Sequence, residues 1–253
     1  MITVGVDLSA QADGTGLAVL GWSESGAVRV TALRVGVGDH ALIEAMATAD
    51  KVGVDCPFGW PEAFVDLVLA HRARNLAAPA SSGREWRRGL ALRETDRVVH
   101  ARTGLTPLSV SADRIGHAAM RWAAIAARLA ATGVDTRRDG SELLAEVYPA
   151  AALKVWGLTH RGYKRAANVA ARGALVEALC VAAPWLDLGD FELLVRQSDD
   201  ALDAVLCALV ARAVAIGATS PPAGPGAIAA AGTEGWIHVP TGSLADLVGG
   251  RGA

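Results

Sequence analysis

Two aspartates end two copies of the same tetrapeptide, Val-Gly-Val-Asp, at residues 4–7 and 52–55. Each copy closes a short β-branched apolar run, which is typical of a strand buried on both faces. Open α/β sheets build their sites at the carboxyl ends of their strands, where Asp7 and Asp55 would stand. If the two strands are parallel neighbours, the two carboxylates face each other. The repeat therefore favours a site for a divalent metal.

Three further aspartates lie near the start of the strongest predicted helix, residues 198–216. Ser198 is a favourable N-cap, and the helix dipole alone accounts for acids in the first turn at Asp199 and Asp200. Asp203 falls at the edge of the apolar face, where an acid needs a partner or a cation. Asp200 and Asp203 are three residues apart and can face one site. Which of these three aspartates would bind metal stays open at this point.

Glu146 ends another predicted strand, residues 143–147, and is a further candidate metal ligand, although an exposed strand-end glutamate is an equally good interpretation. Neighbouring carboxylates repel each other by roughly 1–4 kcal/mol per close pair, and a divalent cation offsets that repulsion. The six histidines show no metal-ligand spacing. Because hard oxygen ligands without paired His or Cys select such ions, we expect Mg²⁺ or Mn²⁺.

The elements that must position these acids follow an α/β pattern. Three strands joined by turns predict an antiparallel meander, at residues 2–6, 17–22 and 28–35. A helix at residues 40–49 then predicts a crossover to a fourth strand, parallel to one already in the sheet. Helical patterns dominate residues 57–140, which we predict to be an insertion within one domain spanning residues 1–253.

Composition narrows the class of protein. The chain has 253 residues, 52% of them hydrophobic, enough for one sizeable core, and its net charge of −2 argues against a protein that coats nucleic acid. Residues 71–102 nevertheless carry eight arginines against three acids, a local excess of five. Three widely spaced cysteines, no signal-peptide pattern and no uninterrupted apolar span predict a cytoplasmic protein with no membrane partner.

The order of these elements, with acids ending the first and fourth strands and another on a late helix, resembles the ribonuclease H fold. Several segments are similar to the domain of unknown function 429 family, whose members are described as predicted RNase H-like nucleases: residues 5–7, 55–59, 93–97, 146–149, 163–164 and 200–204. The resemblance implies an α/β, ribonuclease H-like mixed sheet of five strands with helices on both faces. The helical insertion would follow the fourth strand.

The resemblance also implies metal-dependent hydrolysis of phosphodiester bonds in nucleic acid. It does not distinguish DNA from RNA as the substrate. Asp7 would bridge two Mg²⁺ ions roughly 3.5–4 Å apart, with Asp55 and Asp200 or Asp203 completing the ligand sets. Substrate phosphates would be held by Lys164, Arg93 and Arg97. For each arginine, an ordinary solvated helix face is the alternative interpretation.

Two other functions remain open at the level of sequence. An actin-like ATP-dependent phosphotransferase would use the turn after Asp7, with Ser9 as a candidate phosphate-binding residue, but such kinases usually carry two copies of the fold. A non-catalytic binding module would retain the acids only as turn and cap residues. The oligomeric state is not predicted.

Overall fold

The computed structural model describes residues 1–249 and builds them around one mixed sheet. Its strands are β1 (Ile2–Asp7), β2 (Gly16–Trp22), β3 (Val28–Val35), β4 (Lys51–Asp55), β5 (Leu144–Val147), β6 (Leu186–Asp187) and β7 (Ile237–His238). Their order across the sheet is β6-β3-β2-β1-β4-β5-β7. The predicted five strands are therefore too few, because β6 and β7 add two-residue edge strands. The predicted domain also includes residues 250–253, which lie outside the described residues.

Ten α-helices accompany the sheet within residues 1–249. They are α1 (Asp39–Met46), α2 (Glu62–Arg72), α3 (Arg84–Ala91), α4 (Glu94–Thr103), α5 (Ile115–Ala131), α6 (Pro149–Val155), α7 (Val169–Ala182), α8 (Glu192–Gln197), α9 (Asp199–Ala215) and α10 (Pro225–Glu234). In this part of the chain, no helix combines the length and the apolar character that crossing a membrane requires.

The predicted strand pairing is confirmed. β1, β2 and β3 form the antiparallel meander, α1 makes the crossover, and β4 runs parallel to β1. The register of β1 and β4 places Asp7 directly opposite Asp55. The repeated tetrapeptide therefore forms a matched pair of strand ends.

Helices cover both faces of the sheet, as predicted. On one face, buried residues of α7 and α9 pack against β2 and β3. On the other face, buried residues of α1 and α5 pack against Val4 and Val6 of β1 and Val52 and Val54 of β4. The face of β1 and β4 that carries Gly5 and Gly53 is the one that α9 covers.

Close contact between α9 and the sheet depends on three glycines, one on each of three neighbouring strands. A Cβ atom at Gly5 would overlap the carbonyl oxygen of Ala204, one at Gly16 would overlap that of Asp200, and one at Gly53 that of Cys207. The backbone of α9 can lie this close because these strand positions carry no side chain. The glycines thus determine the distance between α9 and the sheet, and with it the position of the acids of α9 relative to the strand ends.

The segment between β4 and β5 contains α2, α3, α4 and α5, in agreement with the helical insertion predicted for residues 57–140. Residues 84–103 form two helices and not one continuous helix. α3 ends at Ala91, Leu92 is extended, and Arg93 caps α4 through a reciprocal contact with Asp96. The break turns the Arg93 side chain inward, where it is only 1% exposed.

Candidate metal centre

Three aspartates from three elements converge at the carboxyl ends of β1 and β4. One carboxylate oxygen from each of Asp7, Asp55 and Asp203 lies within 4.8 Å of the other two. Asp203 is fully buried, whereas Asp7 and Asp55 are partly exposed at the floor of a cleft. Hard oxygen donors at this spacing are the ligand set that Mg²⁺ and Mn²⁺ prefer.

Strand alternation explains why these side chains meet. Asp7 follows Gly5 by two residues and Asp55 follows Gly53 by two, so each aspartate points to the face that α9 covers. α9 begins at a cap in which the Ser198 side chain accepts a hydrogen bond from the amide of Ala201 at 3.2 Å. The predicted N-cap is therefore confirmed.

Both oxygens of Asp203 have neighbours on the segment between α6 and α7. The Tyr163 hydroxyl donates a hydrogen bond to Oδ1 at 2.8 Å, and the Lys164 Nζ lies 2.5 Å from Oδ2. The lysine contact is an ion pair rather than an aligned hydrogen bond, because Oδ2 has no hydrogen-bond partner among the described residues. Asp203 is thus oriented by Tyr163 at one oxygen and paired with the Lys164 ammonium at the other.

Burial and mutual repulsion set the electrostatics of this site. Burial raises the pKa of Asp7 well above its usual value, the negative charge of Asp203 raises it further, and Lys164 opposes both. The pKa of Asp55 rises to about 7 through burial, with Lys164 again lowering it and Asp203 raising it. Burial lowers the pKa of Lys164, but the charges of Asp203, Asp7 and Asp55 raise it by more. The cluster therefore carries excess negative charge that a cation would stabilise.

The raised pKa of Asp55 makes the stability of the metal-free protein pH-dependent. The unfolded chain loses the Asp55 proton near the ordinary pKa of 3.8, whereas the folded chain keeps it until about pH 7. Rising pH across this window therefore removes stability, on the order of 4 kcal/mol. We expect the stability of Asp55→Asn relative to the parent to grow from pH 4 to pH 7 in urea unfolding with EDTA. A difference that stays constant across this range would contradict this electrostatic description.

Glu146 does not join the aspartates, which corrects the expectation that it completes the ligand group. Its register partner on β4 is Val54, not Asp55, so its side chain leaves the sheet on the opposite face. There both of its oxygens accept hydrogen bonds from Arg93, at 2.7 and 2.8 Å, and the amide of Phe58 donates a further one at 3.0 Å. Asp96 is the second acid bound by Arg93. Arg93 is thereby committed to internal partners and is not available to bind phosphate as predicted.

Because Glu146 and Arg93 form a buried ion pair, replacing Glu146 should destabilise the protein. Glu146→Gln leaves the Arg93 guanidinium with one acidic partner in a buried site, so we expect a loss of about 3 kcal/mol in the free energy of unfolding. Mn²⁺ affinity should stay at the parent value when it is measured well below the unfolding transition. Glu142→Gln, at an exposed side chain, is the matched control and should change stability by less than about 0.5 kcal/mol. A collapse of Mn²⁺ affinity in Glu146→Gln would restore Glu146 as a ligand.

The remaining predicted residues lie around the site or away from it. Asp200 is partly buried, and its pKa is raised by burial and by Asp199 and Asp203, but its carboxylate is not in the converging group. Asp199 accepts a hydrogen bond from the Arg165 amide at 3.0 Å. Ser9 accepts a hydrogen bond from the amide of Gln11 and does not line the cleft. Arg97 is exposed and pairs with Glu94 at 3.2 Å, outside the cleft lining.

A cleft of about 450 Å³ opens above the aspartates and contains residues that the sequence did not single out. His160 and Arg161 come from the segment that also carries Lys164, and Leu108 lines the cleft with 60% of its surface exposed. The loops that hold these residues have no periodic pattern and no paired acids. Sequence reasoning therefore had no signal for them.

The comparisons with known proteins add one finding. A family model described as "Protein of unknown function (DUF429)" matches residues 5–227. This match confirms the family resemblance inferred from the sequence motifs. No curated protein and no solved structure matches the chain.

Proposed function

The chain belongs to the DUF429 family, and we propose that this member is a ribonuclease H-like nuclease that hydrolyses phosphodiester bonds in nucleic acid with the help of a divalent metal. The observation that carries the proposal is the convergence of Asp7, Asp55 and Asp203, of which Asp7 and Asp55 line a cleft. The antiparallel meander, the crossover helix and the parallel fourth strand support the ribonuclease H-like assignment. The seven-stranded order extends that arrangement at both edges.

The residues present fit a divalent cation. The donor set is three carboxylates whose oxygens lie within 4.8 Å of one another, and the Lys164 ammonium stands beside Asp203. Asp7, Asp55 and Asp203 would hold the ion, and Tyr163 would keep Asp203 in its orientation. A bound Mg²⁺ or Mn²⁺ would supply Lewis-acid stabilisation of the charge that develops on a phosphoryl group.

Positive side chains around the cleft support a phosphate-containing substrate. Lys164 stands beside Asp203, and Arg161 lines the same cleft and is exposed. Arg161 is placed to hold a phosphate next to the aspartates, because guanidinium groups bind phosphate oxygens through paired hydrogen bonds. His160 also lines this cleft.

A basic groove next to the cleft supports a polymeric substrate. Arg88, Arg97 and His100 line this groove, with Glu85 as its one acid among the described residues, and Pro107 and Leu108, close to the groove residue Thr106, line the cleft itself. Two further exposed arginines of α3, Arg84 and Arg87, extend the positive surface, and neither pairs with an acid among residues 1–249. A strand held in the cleft would thus meet arginines as it leaves, and phosphate contacts of this kind dominate affinity for nucleic acids.

The test is a panel of single-stranded, duplex, hybrid and branched oligonucleotides, each of DNA and of RNA where the form allows. The parent protein should cleave at least one of them in Mn²⁺ or Mg²⁺ and none in EDTA. Asp7→Asn, purified identically, should be inactive on the same substrate. Cleavage that persists in EDTA, or that survives in Asp7→Asn, would reject the proposal and indicate a contaminating nuclease.

A further inference from the structure

Lys164 brings a positive charge into the aspartate cluster itself. Its Nζ lies 2.5 Å from Asp203 Oδ2, and its charge lowers the pKa of both Asp7 and Asp55. The chain has only three lysines. Lys51 donates to backbone carbonyls, including that of Gly140 at 2.7 Å, and Lys154 is exposed outside the cleft. The placement of an ammonium among the acids is therefore particular to Lys164.

The backbone on both sides of Lys164 is anchored by a buried arginine. The Arg172 guanidinium, which is fully buried, donates to the carbonyl oxygens of Tyr163 at 2.7 Å and of Arg165 at 3.4 Å. Asp199 accepts a hydrogen bond from the amide of Arg165. Arg165 has a φ of +80°, a conformation that a non-glycine residue keeps only when its surroundings impose it. Lys164 is thus presented from a fixed segment and is not a freely moving surface arm.

Formal charge distinguishes one bound ion from two. Asp7, Asp55 and Asp203 contribute three negative charges and Lys164 one positive charge, so a single divalent ion neutralises the group. Two divalent ions would leave an excess of two positive charges in a partly buried site. Glu146 cannot serve a second ion in this group, because it lies on the other face of the sheet, where Arg93 pairs with it. The charges therefore match one ion.

We propose that Lys164 occupies the place of a second cation, so that the site binds one divalent ion, held by Asp7, Asp55 and Asp203, beside a permanent ammonium group. This inference rests on the proposed metal-dependent function and departs from the two-ion arrangement that the family resemblance implied. Lys164 acts through Asp203 on the affinity and number of the ions, and Arg172 positions Lys164.

The test measures the number and affinity of bound Mn²⁺ ions by isothermal titration calorimetry, with electron paramagnetic resonance to detect spin-coupled ion pairs. The parent is expected to bind one Mn²⁺ in the cleft. Lys164→Met removes the ammonium, and we expect it either to bind a second Mn²⁺ or to bind the first at least about tenfold more tightly, because a like charge has been removed. Lys164→Arg keeps the charge and should keep one ion. Lys154→Met makes the same charge change outside the cleft and should match the parent.

Two spin-coupled Mn²⁺ ions in the parent would overturn the inference, as would Lys164→Met with an unchanged number and affinity of ions. Circular dichroism establishes that each variant is folded, and the parent stoichiometry tests the inference even if one variant is not. If the parent binds two ions and cleaves nucleic acid in an Asp7-dependent manner, only this inference fails. If the parent binds no Mn²⁺ at millimolar concentration, the proposed function fails with it.

Discussion

Asp7→Asn is expected to lower metal-dependent cleavage at least about a thousandfold, the largest effect on activity of any single change considered, because several kcal/mol of charge stabilisation depend on the ion that Asp7 helps to hold. The same substitution should raise the stability of the metal-free protein by about 1 kcal/mol. Burial and the charge of Asp203 already raise the pKa of Asp7, so the folded protein tolerates the negative charge poorly. Turnover with Mn²⁺ and urea unfolding with EDTA measure the two effects.

Asp66→Asn is the matched control, because Asp66 is an exposed aspartate on α2, away from the cleft. It should leave both turnover and stability close to the parent values. Replacing a metal ligand should lower activity and raise the stability of the metal-free protein. Replacing a structural aspartate should lower both. Loss of activity accompanied by a loss of stability would instead assign Asp7 to structure.

Gly5→Ala is expected to have the largest effect on stability, about 3 kcal/mol or more in the free energy of unfolding. A methyl group at this position would overlap the carbonyl oxygen of Ala204 and approach the amide nitrogen of Ala208, both part of the α9 backbone. The helix must therefore move away from the sheet and take Asp203 with it. Mn²⁺ affinity should fall in the same variant, when measured on the folded fraction.

Gly21→Ala provides a control in the same sheet. Gly21 lies on β2, and an added Cβ would meet only the Thr31 Cγ2 atom, at an ordinary contact distance of 3.4 Å. Its stability should stay within about 1 kcal/mol of the parent, since β-strands accept alanine in place of glycine. Equal losses for the two variants would mean that the general loss of glycine, and not the approach of α9, causes the effect.

The positions of Asp7, Asp55 and Asp203 were predictable because local sequence patterns indicate the elements on which they lie. The β-branched runs before Asp7 and Asp55 identify buried strands, and helical periodicity places Asp203 toward the body of the protein. The order of strands, helix and strand then requires the parallel pairing that puts the two strand ends together. In each case the information lies in the pattern of one element or in the order of consecutive elements.

Glu146 and Arg93 show where this reasoning stops. Glu146 ends a strand just as Asp55 does, and only the register with β4, offset by one residue, turns it to the other face. Arg93 looks like the other arginines of its basic segment, yet it is buried by a partner 53 residues away. Register and long-range ion pairs depend on the assembled fold, so neither could be read from the local sequence.

The edges of the fold show the same limit. β6 has two residues and forms only by pairing with Val28 and Arg29 of β3. α10 begins at Pro225, inside residues 220–226, whose proline and glycine content is typical of a linker. Both elements gain their stability from neighbours, because their own sequences are too short or too weakly patterned to specify them.

The most direct test of the central claim, that Asp7, Asp55 and Asp203 form one divalent-metal site, is a crystal structure of the parent protein grown with Mn²⁺ and measured at a wavelength that reveals anomalous scattering from manganese. We predict an anomalous peak at roughly 2–2.5 Å from a carboxylate oxygen of each of the three aspartates. A structure at millimolar Mn²⁺ with no peak among them, or with the three carboxylates directed to separate regions, would contradict the claim.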